Sequence, residues 1–200
     1  MTAQDDRDSS GANPVNPTET ECSYEAFGRN FFERVVTRDR IASALSDLQG
    51  NKIDFGPKSA GPVGLARVEA HGSIGDVAVE RMDGEKVRFN VTVPVAVELT
   101  VTLAGQSHRF NAQVRANVRL TALALEPLRI FIDVTPPGKD DVKVDVESHG
   151  LRASILNIVA GIDGELRRVV AKYIAREIDR PEIRKMREID VAARIDKAYA

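Results

Sequence analysis

Three histidines, one cysteine and a small acidic cluster are the residues of this sequence best suited to chemistry. His71, His108 and His149 each stand in or beside a turn signal. No two share the spacing that puts a pair of imidazoles on one helix face, and HExxH is absent. Scattered in this way, they read as solvated turn residues. Asp140, Asp141 and Asp145 form a loose acidic group. They lack the ligand order of a calcium-binding EF-hand, so PPGKDD reads as a solvated turn. GPKSAGPVG (56–64) is rich in glycine but carries no GxxxxGK[ST], and no GxSxG occurs. Cys22, the single cysteine, has no partner for an internal disulfide and cannot alone anchor a thiolate metal site. It lies in or beside the polar tail expected to be disordered, so no nucleophile role is expected of it. The sequence therefore offers no catalytic residue, no metal site and no cofactor site, and the chain is expected not to be an enzyme.

Bulk properties narrow the remaining classes. The chain has 200 residues, 42% of them apolar, enough for a sizeable core. Its 28 basic residues are balanced by 30 acidic ones, and there is no tryptophan. A nucleic-acid partner is not expected from that balance or from so few aromatic platforms. No apolar run of about 20 residues is present, so no membrane span is predicted. The opening MTAQDDRDSSGANPVNPTETE lacks the apolar stretch of a secretory signal, and the chain reads as cytoplasmic. Residues 1–20 are rich in Asp, Ser, Asn, Pro and Thr and are expected to stay disordered.

Everything else concerns elements that alternate or repeat. Residues 24–49 carry two helical stripes, Phe27, Phe31, Phe32, Val35 and Val36, then Ile41, Ala44, Leu45 and Leu48, with Thr37 as the cap between them. Residues 51–62, with Gly56, Pro57, Gly61 and Pro62, read as a loop. Strands follow at 64–70 and 74–82, with His71-Gly72-Ser73 read as the break. VRFNVTVPVAVELTVTL (87–103) then places an apolar residue at every odd position. HRFNAQVRANVRLTALA (108–124) is its mirror, with apolar or small residues at even positions. A four-residue turn at 104–107 sets 103 opposite 108, so odd faces even and both dry faces fall on one side. LRIFIDV (128–134) and VKVDVES (142–148) are further strands. From Leu151 the period lengthens to that of an amphipathic helix of about 28 residues, ended before Pro181. Residues 181–199 read as a second helix.

The paired ribbons are too long for a flat strand. Seventeen extended residues span roughly 55 Å, and the dry face needs cover along its length. The expected fold is α+β: a long, highly curved antiparallel sheet wrapped around a long C-terminal helix, with an N-terminal helix. The parity does not slip at Pro94, so no classical bulge is expected there. Three segments result: a polar tail at 1–20, a single domain at 21–180 and a helical extension at 181–200.

Order and lengths resemble one family. RDRIASALSDL, the two mirrored runs, EPLRIFIDV and GLRASILNIVAGIDGELRRVVAKYIAREI resemble a single module of the tubular lipid-binding (TULIP) superfamily. Its relatives include bactericidal/permeability-increasing proteins and SMP domains. The resemblance covers about residues 35–180 and implies non-enzymatic binding or transport of a lipid or other hydrophobic ligand between sheet and helix. The residues themselves point the same way. The expected groove is lined by Val91, Val93, Val95, Leu99, Val114, Val118, Leu120, Ile155, Val159, Ile162 and Leu166, and small residues facing them either pack closely or leave a cavity. The alternative is a structural or protein-interaction module without ligand, including a homodimer. Its docking face would be Ile183, Met186, Ile189, Ile195 and Tyr199 on the charged C-terminal segment. A helix-grip enzyme would need polar groups inside the cavity, and the inward parities hold none except His108 at the hairpin's end.

Overall fold

The structure, a computed structural model, describes residues 20–60, 66–147 and 153–199, the side chains of 60 and 153–161 excepted. The polar tail through residue 19, His149, Ile155 and Val159 among the sequence expectations lie outside that description. Helices α1 (Tyr24–Val35) and α2 (Arg38–Leu45) come first. Ser23 caps α1 and Thr37 caps α2, each accepting a backbone N–H three residues on. Strands β1 (Lys52–Ala60), β2 (Ala66–Ile74), β3 (Ala78–Met82), β4 (Arg88–Leu103), β5 (Gln106–Leu125), β6 (Arg129–Thr135) and β7 (Val142–Val146) follow. The chain ends with α3 (Ala153–Ile178), α4 (Pro181–Met186), β8 (Glu188–Asp190) and α5 (Val191–Ala198).

The mirrored runs form the central pair of one strongly curled antiparallel sheet. β4 and β5 stay paired from Arg88↔Thr121 to Leu103↔Gln106. The turn has two residues, not four: Ala104 and Gly105 both adopt positive φ, as a tight hairpin of this type requires. The register therefore differs by two from the expected 103↔108. Both loop lengths are even, so the faces are unchanged. Phe89, Val91, Val93, Val95, Val97, Leu99 and Val101 are buried, and so are Phe110, Ala112, Val114, Ala116, Val118, Leu120 and Ala122.

Only the central pair runs the full length. On one flank β2 pairs with β4 at 95–103, and β3 takes over at 88–92. On the other, β7 pairs with β5 at 112–116, and β6 takes over at 119–125. The curled sheet thus has two ends that share β4 and β5. One is β1-β2-β4-β5-β7 and the other is β3-β4-β5-β6-β8. Pro94 sits at the changeover. Its carbonyl accepts Gly75 N–H at 2.9 Å, so its missing donor points to the gap between β2 and β3 and costs no ladder bond.

Three expectations need correction. His71-Gly72-Ser73 lies inside β2, and the break falls at 75–77. The loop at 51–62 contains edge strand β1, which pairs with β2 across an irregularity between Phe55 and Lys58. The helix read at 181–199 is interrupted: β8 pairs with β6 through Arg129↔Asp190, Ile130↔Ile189 and Phe131↔Glu188.

Helices close both ends. α3 packs against β1 and β7, while α2 meets β3 and α5 meets β6. Ile162, Leu166, Val170, Ile174 and Ile178 form the buried stripe of α3 and join the sheet's inner face in a single core. Each fully buried Val or Leu contributes about 1.5–3 kcal/mol.

Candidate functional site

Along the middle of the sheet, the described inner-face residues are buried against one another. Val91, Val93, Val95, Leu99, Val114, Val118, Ile162 and Leu166, expected to line a groove, are at most 5% exposed and interdigitate in the core. Leu120 is different, because it reaches open space at the second end.

That space is an apolar groove of about 690 Å³. Phe31, Val35 and Val36 come from the first helix and its end, and Ile41, Ala44 and Leu45 from α2. Leu120, Ile132 and Val134 form the sheet side. The C-terminal segment supplies Ile183, Met186, Ile189, Val191, Ile195 and Ala198. The volume falls in the range of small-molecule sites.

The groove has a local cause. α1 and α2 carry apolar stripes, yet no residue within either helix is buried. Phe31, Val35, Ile41 and Leu45 pack only partly against the core, and they also line the groove. The C-terminal segment then walls it: Ile132 N–H donates to Arg187 O at 2.8 Å, and Val191 N–H to Leu128 O at 3.0 Å. Asp190 caps α5 by accepting Ala193 N–H at 2.9 Å. Four of the five residues read as a partner-docking face, Ile183, Met186, Ile189 and Ile195, thus share one wall with Leu120. Tyr199 is 90% exposed beyond it. The wall contributed by Phe31, Val35, Ile41 and Leu45 was missed as a site, because the stripe at 41–48 reads as a cover for the sheet.

A second cleft of about 510 Å³ lies between β1 and α3, with Ile53, Phe55, Val169 and Tyr173 among Lys52, Lys58, Lys172 and Arg176. Burial pushes the Tyr173 hydroxyl pKa above its usual 10.0. The Glu177 carboxylate adds to the shift and Arg180 opposes it. Glu177 is itself buried, with Arg180 Nη2 3.0 Å from its carboxylate.

The chemistry-bearing residues lie elsewhere. His71 Nδ1 is 2.9 Å from Asp54 Oδ1, a cross-strand pair on the solvated outer face. His108 is half-exposed near the hairpin turn, and Cys22 is exposed before α1. Asp141 accepts Gly138 N–H at 2.9 Å inside its own turn. Among the described residues no group of His, Cys, Asp or Glu gathers to hold a metal ion. Nor is any of their helices long and apolar enough to cross a membrane.

No family model matches the chain, and no curated protein matches it. Among solved structures, a lipopolysaccharide binding protein is similar at 9% identity and a TM-score of 0.37. That match covers 79% of this chain and 38% of the other, so the chain spans well under half of that protein.

Proposed function

We propose that this chain is a TULIP-like module that binds or carries a lipid or other hydrophobic ligand without chemistry on it. The observation that carries this reading is the 690 Å³ groove, walled by aliphatic and aromatic side chains from both helical segments and the sheet. An apolar groove of that size gains by exchanging water for hydrocarbon, at about 25 cal/mol per Å² buried. This reading puts the ligand at this end of the sheet, because the described stripe of α3 from Ile162 onward is buried in the core. The single cysteine agrees with a reducing, cytoplasmic setting.

Mass spectrometry of an organic extract of the purified protein tests the reading. A stoichiometric lipid is expected, together with saturable binding of 11-(dansylamino)undecanoic acid. Clean extracts and no saturable fluorescence would remove it. Self-association is the second reading, favoured by Met186, Ile195 and Tyr199 at 57%, 45% and 90% exposure. It would appear in light scattering as a dimer whose formation buries the same wall and competes with the probe.

A further inference from the structure

The groove is apolar, but its charged members are all of one sign. Arg40, Arg187 and Arg194 lie on its lining, and no aspartate or glutamate joins them. The three differ in how far they are already committed. Arg187 Nε donates to Ile132 O at 2.7 Å, and its guanidinium lies over the Phe131 ring at 5.0 Å and 3.8 Å from Asp133. Those contacts fix it to the sheet. Arg40 donates Nη1 to Val35 O at 2.8 Å. That bond anchors its guanidinium beside the end of α1 and leaves further donors free. Arg194 makes no ion pair with a described residue. Several nearby acids are engaged elsewhere: Glu188 with Arg129, Asp179 with Arg184, and Asp190 at the α5 cap.

Hydrocarbon walls beside uncommitted guanidinium groups match an amphiphile with an anion at one end. Arginine's planar fork suits carboxylate and phosphate oxygens. Size bears on the apolar part. With a methylene group taken as similar in volume to water, about 30 Å³, the 690 Å³ groove holds roughly twenty such groups. That volume matches one chain with a small head.

We propose that the groove takes a single-chain amphiphile with a carboxylate or phosphate head, the chain against Ile41, Leu120 and Ile132 and the head on Arg40 and Arg194. This rests on the reading of the groove as a lipid site. Calorimetric titration of the full chain with dodecanoate, dodecyl phosphate, dodecan-1-ol and dodecyltrimethylammonium tests it. The anionic ligands are expected to bind about tenfold or more tighter than the alcohol, since charge-assisted hydrogen bonds are the stronger kind. The cation is expected to bind weakest. Whichever anion gains more identifies the head group. The Arg40→Gln/Arg194→Gln variant should erase the anionic advantage. Arg194→Gln alone, which leaves the Arg40–Val35 bond intact, should erase part of it. Equal binding of alcohol and anions to the native chain overturns the head-group assignment and leaves the hydrophobic site standing. An advantage that survives in the double variant overturns the choice of arginines. Failure of all four to bind removes the lipid reading itself.

Discussion

Tyr173 shows what a single residue feels in this fold. Its ring sits on α3 beside β1, and Glu177 lies one turn further along the helix. Burial disfavours the phenolate, and so does the neighbouring carboxylate, which raises the pKa above 10.0. The folded state thus holds this proton more tightly than the unfolded chain does. Its contribution to stability is complete below pH 10.0 and disappears as pH rises through the higher folded value. A spectrophotometric titration should show late-forming phenolate that is missing from Tyr173→Phe and shifted to lower pH in Glu177→Gln. If the late fraction persists in Tyr173→Phe, the assignment is wrong. Gly72 makes a different point about legibility. A Cβ there would lie 3.1 Å from Val95 Cγ1 and 3.2 Å from Ile53 O. Both contacts are tight, so glycine here suits a close approach inside a strand, and sequence alone reads His71-Gly72-Ser73 as a turn. What decides between those uses is the neighbouring strand, which offers a continuous register from Ile74↔Val95 to Ala66↔Leu103.

At the scale of elements, legibility follows the length of the pattern. β4 and β5 alternate over so many positions that their inner faces were readable from residue type alone. The turn error left those faces intact, because parity depends only on whether the loop is even. β1 was hidden by Gly56 and Pro57, which punctuate most sequences but mark an irregularity in an edge strand here. β8 was hidden for the opposite reason. Ile183, Met186 and Ile189 recur at helical spacing, and three residues of strand cannot break such a pattern. Pairing with β6 decides the matter, because Ile130 is 1% exposed beneath that edge. Ending the chain after Met186 should therefore cost more than a surface helix would. Uncovering Ile130 and removing Val191 should destabilise by about 2–4 kcal/mol in urea unfolding. A loss under about 0.5 kcal/mol, the range of ordinary surface changes, would show that β8 is decoration.

For the whole molecule, a curled sheet with two ends separates stability from binding. The central pair and α3 share one packed core, so a cavity made there should weaken the fold without touching the groove. Val101 is 0% exposed in that core. Val101→Ala should cost roughly 2 kcal/mol and lower Tm. Ile41 faces the gap between α2 and the sheet, so Ile41→Trp should fill the groove. A ligand at about 100 times its Kd adds about 2.7 kcal/mol, a rise of roughly 5–10 °C for a chain of this size. Dodecanoate should thus raise Tm in the native chain and, from a lower baseline, in Val101→Ala. It should fail to do so in Ile41→Trp, even if that variant is as stable as the native chain. The opposite pattern, a shift kept in Ile41→Trp and lost in Val101→Ala, would place the ligand along α3. The sequence pointed to that interior because its long aliphatic faces look like the lining of a cavity. Such faces can equally fill their own interior. The groove is lined instead by the half-buried stripes of the shorter helices, and a ligand gains most where the chain has not already excluded the water itself.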